Sequence, residues 1–543
     1  MEKDNRFIKG AAVLAGAGLM IKILGALFRI PLNNWLGAVG MSYYTVAYAI
    51  YGALLVLATA GIPIAISRMV SERIAVNEYR NAKQVFRVAL VIMFCIGFVS
   101  FSICFFGGDW LAIHYSHNPG AGPALKAISP ALLIVPIFSA FRGFFNGQQN
   151  MVPTAISEIS EQLTRVVVGL TLAAVLLKVM HRGTVIAAAG ASFGASAGAL
   201  VGLLVIFLIF LSKRRAFNNK IINGNQTVEK SGDLARQIIV IAVPIIIGTE
   251  MFPLMNLIDT GLIMRVLENT GWDHRTAKYL YGLLGSFCSP LIAFPQIMTQ
   301  GVSISLVPAI SSRFKRNEME SLRDTVNTGY RTTMVVAFPC TVGLIVLAEP
   351  ILKLLYFTRP ESCADAAPIL IIMAVGIVFL SIMQTSTSVL QAVGKQMLPV
   401  RNLAFGCLGK IVITYALVSV HWINVKGAAI GTLSAYIIAM ILNAHDVRKY
   451  TGTKFNYNLT YFRPCLASIV MGVCTYVIYH LIYRLCAGHS PVLSNALACF
   501  VSIMIAVIVY AVMIFLFKAI TLEELEANPK GAKLARFLRR FIK

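Results

Sequence analysis

Two cations stand in a stretch otherwise built to enter a lipid bilayer. Residues 16–35 read GAGLMIKILGALFRIPLNNW, an apolar helical segment that carries Lys22 and Arg29. Seven residues separate them, about two helical turns, so both side chains leave the same face. A basic residue near the membrane midplane costs about 2.5–3.5 kcal/mol on insertion scales. Two on one helix are expected where that face looks into protein or a wet cavity, and the chemistry such a cavity offers is anion binding. The alternative is that each cation snorkels to the nearer interface. That route is open to Arg29, near the far end of the segment, and hardly to Lys22, which lies in its middle.

Further ionisable residues lie in other apolar runs. Glu158, Glu161 and Arg165 fall at i, i+3 and i+7, one face of a helix. Glu161 and Arg165 are an i,i+4 pair able to neutralise each other, and Glu158 sits where an interfacial cap would. This group is expected either to line the cavity or to form a structural ion pair. Lys410 stands alone in GCLGKIVI, and Arg142 lies at a helix end suited to an ordinary basic anchor. Asp259, one turn after Asn256, is the better candidate for an ion or proton site. Glu250, nine residues earlier and separated from it by Pro253, is the weaker one. Gln300 and Gln384 suit either the cavity or a helix–helix hydrogen bond. Tyr43, Tyr44, Tyr48 and Tyr51 suit stacking on sugars, although an aromatic belt at the membrane surface is the favoured expectation. Lys22, Arg29, Arg165 and Lys410 set against few acids, Glu161 among them, favour a ligand with a phosphate or pyrophosphate group.

The elements that must carry these residues follow from composition. The chain has 543 residues, of which 57% are hydrophobic and 13% charged, with a net charge of +24. A soluble domain carries about 25% charge, so this is an all-α polytopic membrane protein. Apolar runs recur near 11–32, 42–67, 85–107, 123–145, 152–178, 184–211, 237–264, 278–308, 328–352, 366–393, 402–421, 427–446, 464–485 and 492–517, about fourteen spans. With the N-terminus cytoplasmic, most loop Lys and Arg fall on the inner side, which supports the count and puts both termini inside. The positive charge then marks topology and anionic lipid headgroups rather than nucleic acid. No phosphate loop, HExxH or GxSxG motif appears, and the ten cysteines are scattered singly, so neither an enzyme, a metal site nor a disulfide framework is expected.

The two halves echo each other. Gly61–Glu78 reads GIPIAISRMVSERIAVNE and Gly301–Glu318 reads GVSISLVPAISSRFKRNE, with Ser71/Ser311, Arg73/Arg313, Asn77/Asn317 and Glu78/Glu318 at a constant offset of 240. Gly147 in GQQNMVP pairs with Gly394 in GKQMLP, and Ala188–Ala189 with Ala428–Ala429. Six spans followed by six in the same order form a parallel repeat with an axis along the membrane normal. The organisation expected is an N-terminal lobe over 1–211, a cytoplasmic linker over 212–236 and a C-terminal lobe over 237–446. Two further helices follow over 447–518, then a basic amphipathic tail over 519–543 lying on the inner leaflet.

The opening FIKGAAVLAGAGLMIKILGALFRIPL, with LGAVGMSYY and GIPIAISRMVSE after it, resembles the polysaccharide-biosynthesis, SpoVB/YtgP-like branch of the MOP flippase superfamily, related to the lipid II flippase MurJ. The resemblance implies two six-helix lobes, a central cationic cavity, two extra C-terminal helices with a lipid-guiding groove, and export of an undecaprenyl-pyrophosphate-linked precursor by alternating access. It also implies that first-span cations face the cavity, where Lys22 and Arg29 hold matching places. Basic residues that MurJ proteins carry in spans two and eight have no clear counterpart in this chain. The expected setting is the bacterial cytoplasmic membrane, and the expected partners are a lipid-linked oligosaccharide and the membrane itself, with the protein a monomer. No cofactor is expected beyond Na+ or H+ coupling and the membrane potential. The competing function is a MATE-like cation-coupled multidrug antiporter, for which an acidic cavity is expected.

Overall fold

A computed structural model describes residues 2–59, 61–222, 228–486 and 490–519. All regular structure among them is helical: α1 (Glu2–Thr59), α2 (Gly61–Ala75), α3 (Tyr79–Phe106), α4 (Gly108–Trp110), α5 (Gly122–Gly147), α6 (Val152–Ala174), α7 (Gly183–Ile222), α8 (Ser231–Asn269), α9 (His274–Gly282), α10 (Ser289–Lys315), α11 (Met319–Val346), α12 (Ala348–Leu355), α13 (Pro360–Ala392), α14 (Met397–Val418), α15 (Lys426–Thr451), α16 (Arg463–Leu485) and α17 (Pro491–Leu516). Among the described residues, twelve helical stretches are long and apolar enough to cross a bilayer. Two of them, over 16–75 and 274–315, are 60 and 42 residues long, well beyond the ~20 of one crossing. The chain is an all-α polytopic membrane protein, as its apolar runs require.

The connection expected over 33–41 is instead helical. Helix α1 runs through it and changes direction at Gly37, whose φ of 66° and ψ of 179° only glycine adopts without strain. The long run near 278–308 is interrupted by a π-helical turn over Leu283–Cys288 between α9 and α10, the kind of local widening that bends a helix. The described part of the linker expected over 212–236 is mostly helix, because α7 extends to Ile222 and α8 starts at Ser231. The basic tail expected on the inner leaflet over 519–543 lies, beyond Ala519, outside the described residues.

The repeat reappears as backbone geometry. Asn77 (φ 62°) and Asn317 (φ 58°) both close a helix in the left-handed conformation that asparagine tolerates. The next amide reaches back across each turn, Glu78 N to Arg73 O at 2.8 Å and Glu318 N to Arg313 O at 3.0 Å, the Schellman closure. The second echo holds with a shifted register. The left-handed residues are Gln149 (φ 58°) and Gly394 (φ 78°), so Gln149 rather than Gly147 matches Gly394.

The chain forms two compact units. The first comprises residues 1–286 and 418–425, the second 287–417 and 426–543. The first unit therefore includes α8 and α9, which follow the linker in sequence. It contains a core of Ile66, Met69, Phe86, Phe138, Phe141 and Phe144 with Leu234 and Ile238 of α8 packed on it. Within the second unit a polar ladder ties helices together: Ser303 to Thr385 at 3.0 Å, Thr333 to Thr385 at 3.0 Å and Tyr330 to Ser386 at 2.5 Å.

Candidate functional site

The helices that carry the charged face of the first unit are set by glycine. Gly190, Gly194, Gly198 and Gly202 recur every four residues along α7, a small-residue stripe that lets membrane helices approach closely. A Cβ at Gly194 would sit 2.7 Å from the Arg165 carbonyl, and one at Gly202 would sit 3.1 Å from the Glu161 Cβ, so α6 lies directly on this stripe. Helix α1 closes the other side, where Phe28 packs against Gly169 and Gly25 faces Gln162. The glycine stripe carries no charge, so charge patterning does not reveal it, although its four-residue spacing is visible in the sequence.

On this frame α5 and α6 build a continuous ionic chain. Arg142 donates to Glu161 at 2.8 Å and pairs with Glu158 at 3.3 Å, and its guanidinium lies 3.7 Å from the centre of the Phe138 ring. Glu161 uses its second oxygen to accept from Arg165 at 3.1 Å, and Arg165 donates to the Tyr48 hydroxyl at 2.8 Å. Arg142 is thus a member of this chain rather than the basic anchor expected of it, and Glu158 pairs rather than caps. Two guanidiniums against two carboxylates leave the chain neutral. The i, i+3, i+7 spacing did place Glu158, Glu161 and Arg165 on one face, as expected.

The tyrosines of α1 are not a surface belt. Tyr43, Tyr44 and Tyr51 are buried, at 7%, 4% and 2% exposure. Tyr44 stacks on Tyr48 with ring centres 5.4 Å apart, and Tyr48 meets Tyr51 at 5.5 Å. This ladder runs from the ionic chain toward Arg29: both Arg29 and Arg165 lie within electrostatic reach of Tyr44, and Phe28 packs 6.0 Å from Tyr44.

Lys22 and Arg29 differ from these paired groups. Lys22 is exposed and Arg29 half-buried on the same helix. Neither side chain has a carboxylate partner among the described residues. The remaining expected site residues are dispersed. Lys410 is 1% exposed, packed inside the second unit where α14 meets Gly431 of α15. Asp259 sits half-buried on α8 with Tyr115 and Tyr281 in electrostatic reach. The side chain of Glu250 lies outside the described residues. Gln384 accepts from Thr299 at 3.4 Å, a helix-to-helix bond, and Gln300 is exposed.

Known proteins are similar to this chain in sequence and in fold. The family model described as polysaccharide biosynthesis protein matches residues 7–314, and the MatE model matches residues 282–416. The lipid II flippase MurJ of Bacillus subtilis (strain 168) is 24% identical over 487 residues, covering 88% of this chain and 89% of that protein. Stage V sporulation protein B of the same organism is 25% identical, covering 82% of this chain and 84% of its own. Among solved structures, lipid II flippase MurJ in its inward closed conformation superposes with a TM-score of 0.66 at 16% identity, over 93% of this chain and 98% of that one. The chain belongs to the polysaccharide-biosynthesis family of the MOP superfamily and is related to MurJ.

Proposed function

We propose that this protein is a flippase that carries a polyprenyl-pyrophosphate-linked cell-wall precursor, lipid II or a related lipid-linked oligosaccharide, across the membrane by alternating access. The observation that carries the reading is the contrast on one face of the first unit: a charge-balanced ionic chain stands beside two helix-α1 cations that have no carboxylate partner among the described residues. Charged side chains within membrane spans are retained when paired or when they serve a passing ion or ligand. Lys22 and Arg29 together offer two positive charges, the complement of a pyrophosphate. Seven residues put them about 10 Å apart along the helix, so a headgroup engages one and then the other as it moves. Glu161, held between Arg142 and Arg165, keeps Arg165 and Tyr48 fixed as the wall of that path. Lys410, deep in the second unit, is proposed to support packing more than contact.

The driving force follows from charge. An anion leaving a cell whose interior is negative gains about 2.3 kcal/mol per charge per 100 mV, roughly 4–5 kcal/mol for a dianion. Ion coupling at Asp259 is proposed as the step that resets the cycle. The MATE-type reading rests on the MatE family match over residues 282–416. It calls for acids free to bind a cationic drug, whereas Glu158 and Glu161 are both engaged by Arg142.

The test is translocation in proteoliposomes. With an inside-negative potential, the wild-type protein is expected to expose fluorescent lipid II on the outer leaflet, and Lys22→Ala and Arg29→Ala proteins are expected to lose at least tenfold in rate. Export of ethidium with no movement of lipid II would replace the flippase by the antiporter.

A further inference from the structure

A second cationic group lies away from α1. Helix α3 carries Lys83 and Arg87 one turn apart, and α7 carries Arg214 one turn before Asn218. Lys83 Nζ donates to Asn218 Oδ1 at 2.8 Å, and Phe86 packs 5.5 Å from Phe210, so the two helices are locked side by side at this level. Arg87 and Arg214 are both within electrostatic reach of Lys83, and both are exposed. Neither α3 nor α7 contains a single Asp or Glu. Of the acids at this end of the unit, Glu229 is clasped by Arg73 at 2.7 and 2.6 Å, Glu72 pairs with Arg68 at 2.8 Å, and neither Glu78, which accepts from Asn81 at 3.0 Å, nor Asp233 forms an ion pair with Lys83, Arg87 or Arg214. Three like charges are therefore held together with no protein counter-charge among the described residues.

What neutralises them is indicated by the surface beneath. Arg87 heads a helical stripe of exposed apolar side chains, Val91 (64%) and Phe94 (50%). Arg214 heads a matching stripe on α7, Leu211 (43%) and Leu204 (49%). The cations thus cap two neighbouring lipid-facing stripes, at the height where a hydrophobic span gives way to polar residues. We propose that Lys83, Arg87 and Arg214 form a binding site for the headgroup phosphate of an anionic phospholipid, whose acyl chains lie along the exposed faces of α3 and α7. Among the described residues the second repeat uses the matching α11 positions differently. At the offset of 240, Arg323 and Asn327 replace Lys83 and Arg87, and they dock the end of α15 and the chain that follows it: Arg323 donates to the Thr451 carbonyl at 3.2 Å and Asn327 to the Lys454 carbonyl at 3.3 Å.

The site is tested by native mass spectrometry of the full chain titrated with phosphatidylglycerol, with phosphatidylcholine as the neutral reference. The triple variant K83Q/R87Q/R214Q is compared with K213Q/R215Q/K315Q, which removes the same charge from exposed positions outside the site. The expected result is a loss of at least fivefold in phosphatidylglycerol affinity for the first triple and less than twofold for the second, with melting temperatures matched. If the first triple fails to fold, R214Q alone is read, with a loss of at least twofold expected. Equal losses for both triples, or none for either, would overturn the site in favour of diffuse surface charge. Displacement of the bound phospholipid by equimolar undecaprenyl pyrophosphate would overturn the phospholipid assignment and give the site to the polyprenyl carrier.

Discussion

Glu161 is the residue on which the ionic chain turns, because among the described carboxylates it alone contacts both guanidiniums, at 2.8 Å from Arg142 and 3.1 Å from Arg165. Replacing it with glutamine keeps the shape and removes the negative charge. Arg142 retains Glu158 at 3.3 Å; among the described residues Arg165 retains the Tyr48 hydroxyl and a neutral amide oxygen, but no carboxylate. Removing one partner of a buried ion pair costs about 3–5 kcal/mol. The side chains here keep 13–17% exposure, so about 2–4 kcal/mol is the expected loss after that discount. An unfolding entropy of about 2.1 cal/mol/K per residue over 543 residues makes 1 kcal/mol worth roughly 1 °C. Glu161→Gln should therefore lower the melting temperature of the detergent-purified protein by about 2–4 °C. Arg165→Leu should do much the same, and the double variant should lose less than the sum, since a shared interaction can be removed only once. A double-mutant coupling near zero, or an Arg165→Leu protein of full stability that cannot transport, would refute the structural role given to this pair and return Arg165 to direct contact with the substrate.

Gly194→Val puts a branched side chain where a Cβ already stands 2.7 Å from the Arg165 carbonyl. Overpacking of this kind costs about 1–3 kcal/mol, so thermal stability and transport should fall together, whereas Gly343→Ala, on a helical backbone where a Cβ meets nothing within 4 Å, should spare both. Asp259→Asn should abolish the dependence of transport on an imposed Na+ or H+ gradient while leaving its dependence on membrane potential; an unchanged gradient response removes Asp259 from ion coupling. Gly37→Ala forces a side chain into a backbone region that costs of order 1–3 kcal/mol, and reduced yield and melting temperature are the expected readouts.

The class of fold was plain from hydropathy, because bilayer thickness dictates the length of each apolar run. Repeat positions were legible too, and Asn77 and Asn317 show why: a left-handed helix end needs a residue type that tolerates it, so the backbone requirement leaves a mark in the sequence. The Gly37 kink looks like a loop in the sequence, since nothing in hydropathy separates a bent helix from a connection between two. Among the charged residues, spacing along one helix was reliable and pairing between helices was not. Glu158, Glu161 and Arg165 share a face by periodicity alone. That Arg142 of α5 inserts between the two glutamates depends on how α5, α6 and α7 pack, and the glycine stripe that permits this packing bears no chemistry of its own. The tyrosine ladder failed for a related reason: aromatic residues near a span end suit a membrane interface and a buried stack equally well until the neighbouring helices are known.

The measurement that bears most directly on the account is complementation of flippase-depleted bacteria by Lys22→Ala, Arg29→Ala and the double variant, with lipid II exposure on the outer leaflet followed at matched protein levels. The account expects the double variant to fail in growth and exposure and each single variant to be impaired. Normal growth and normal exposure with both cations removed would contradict it.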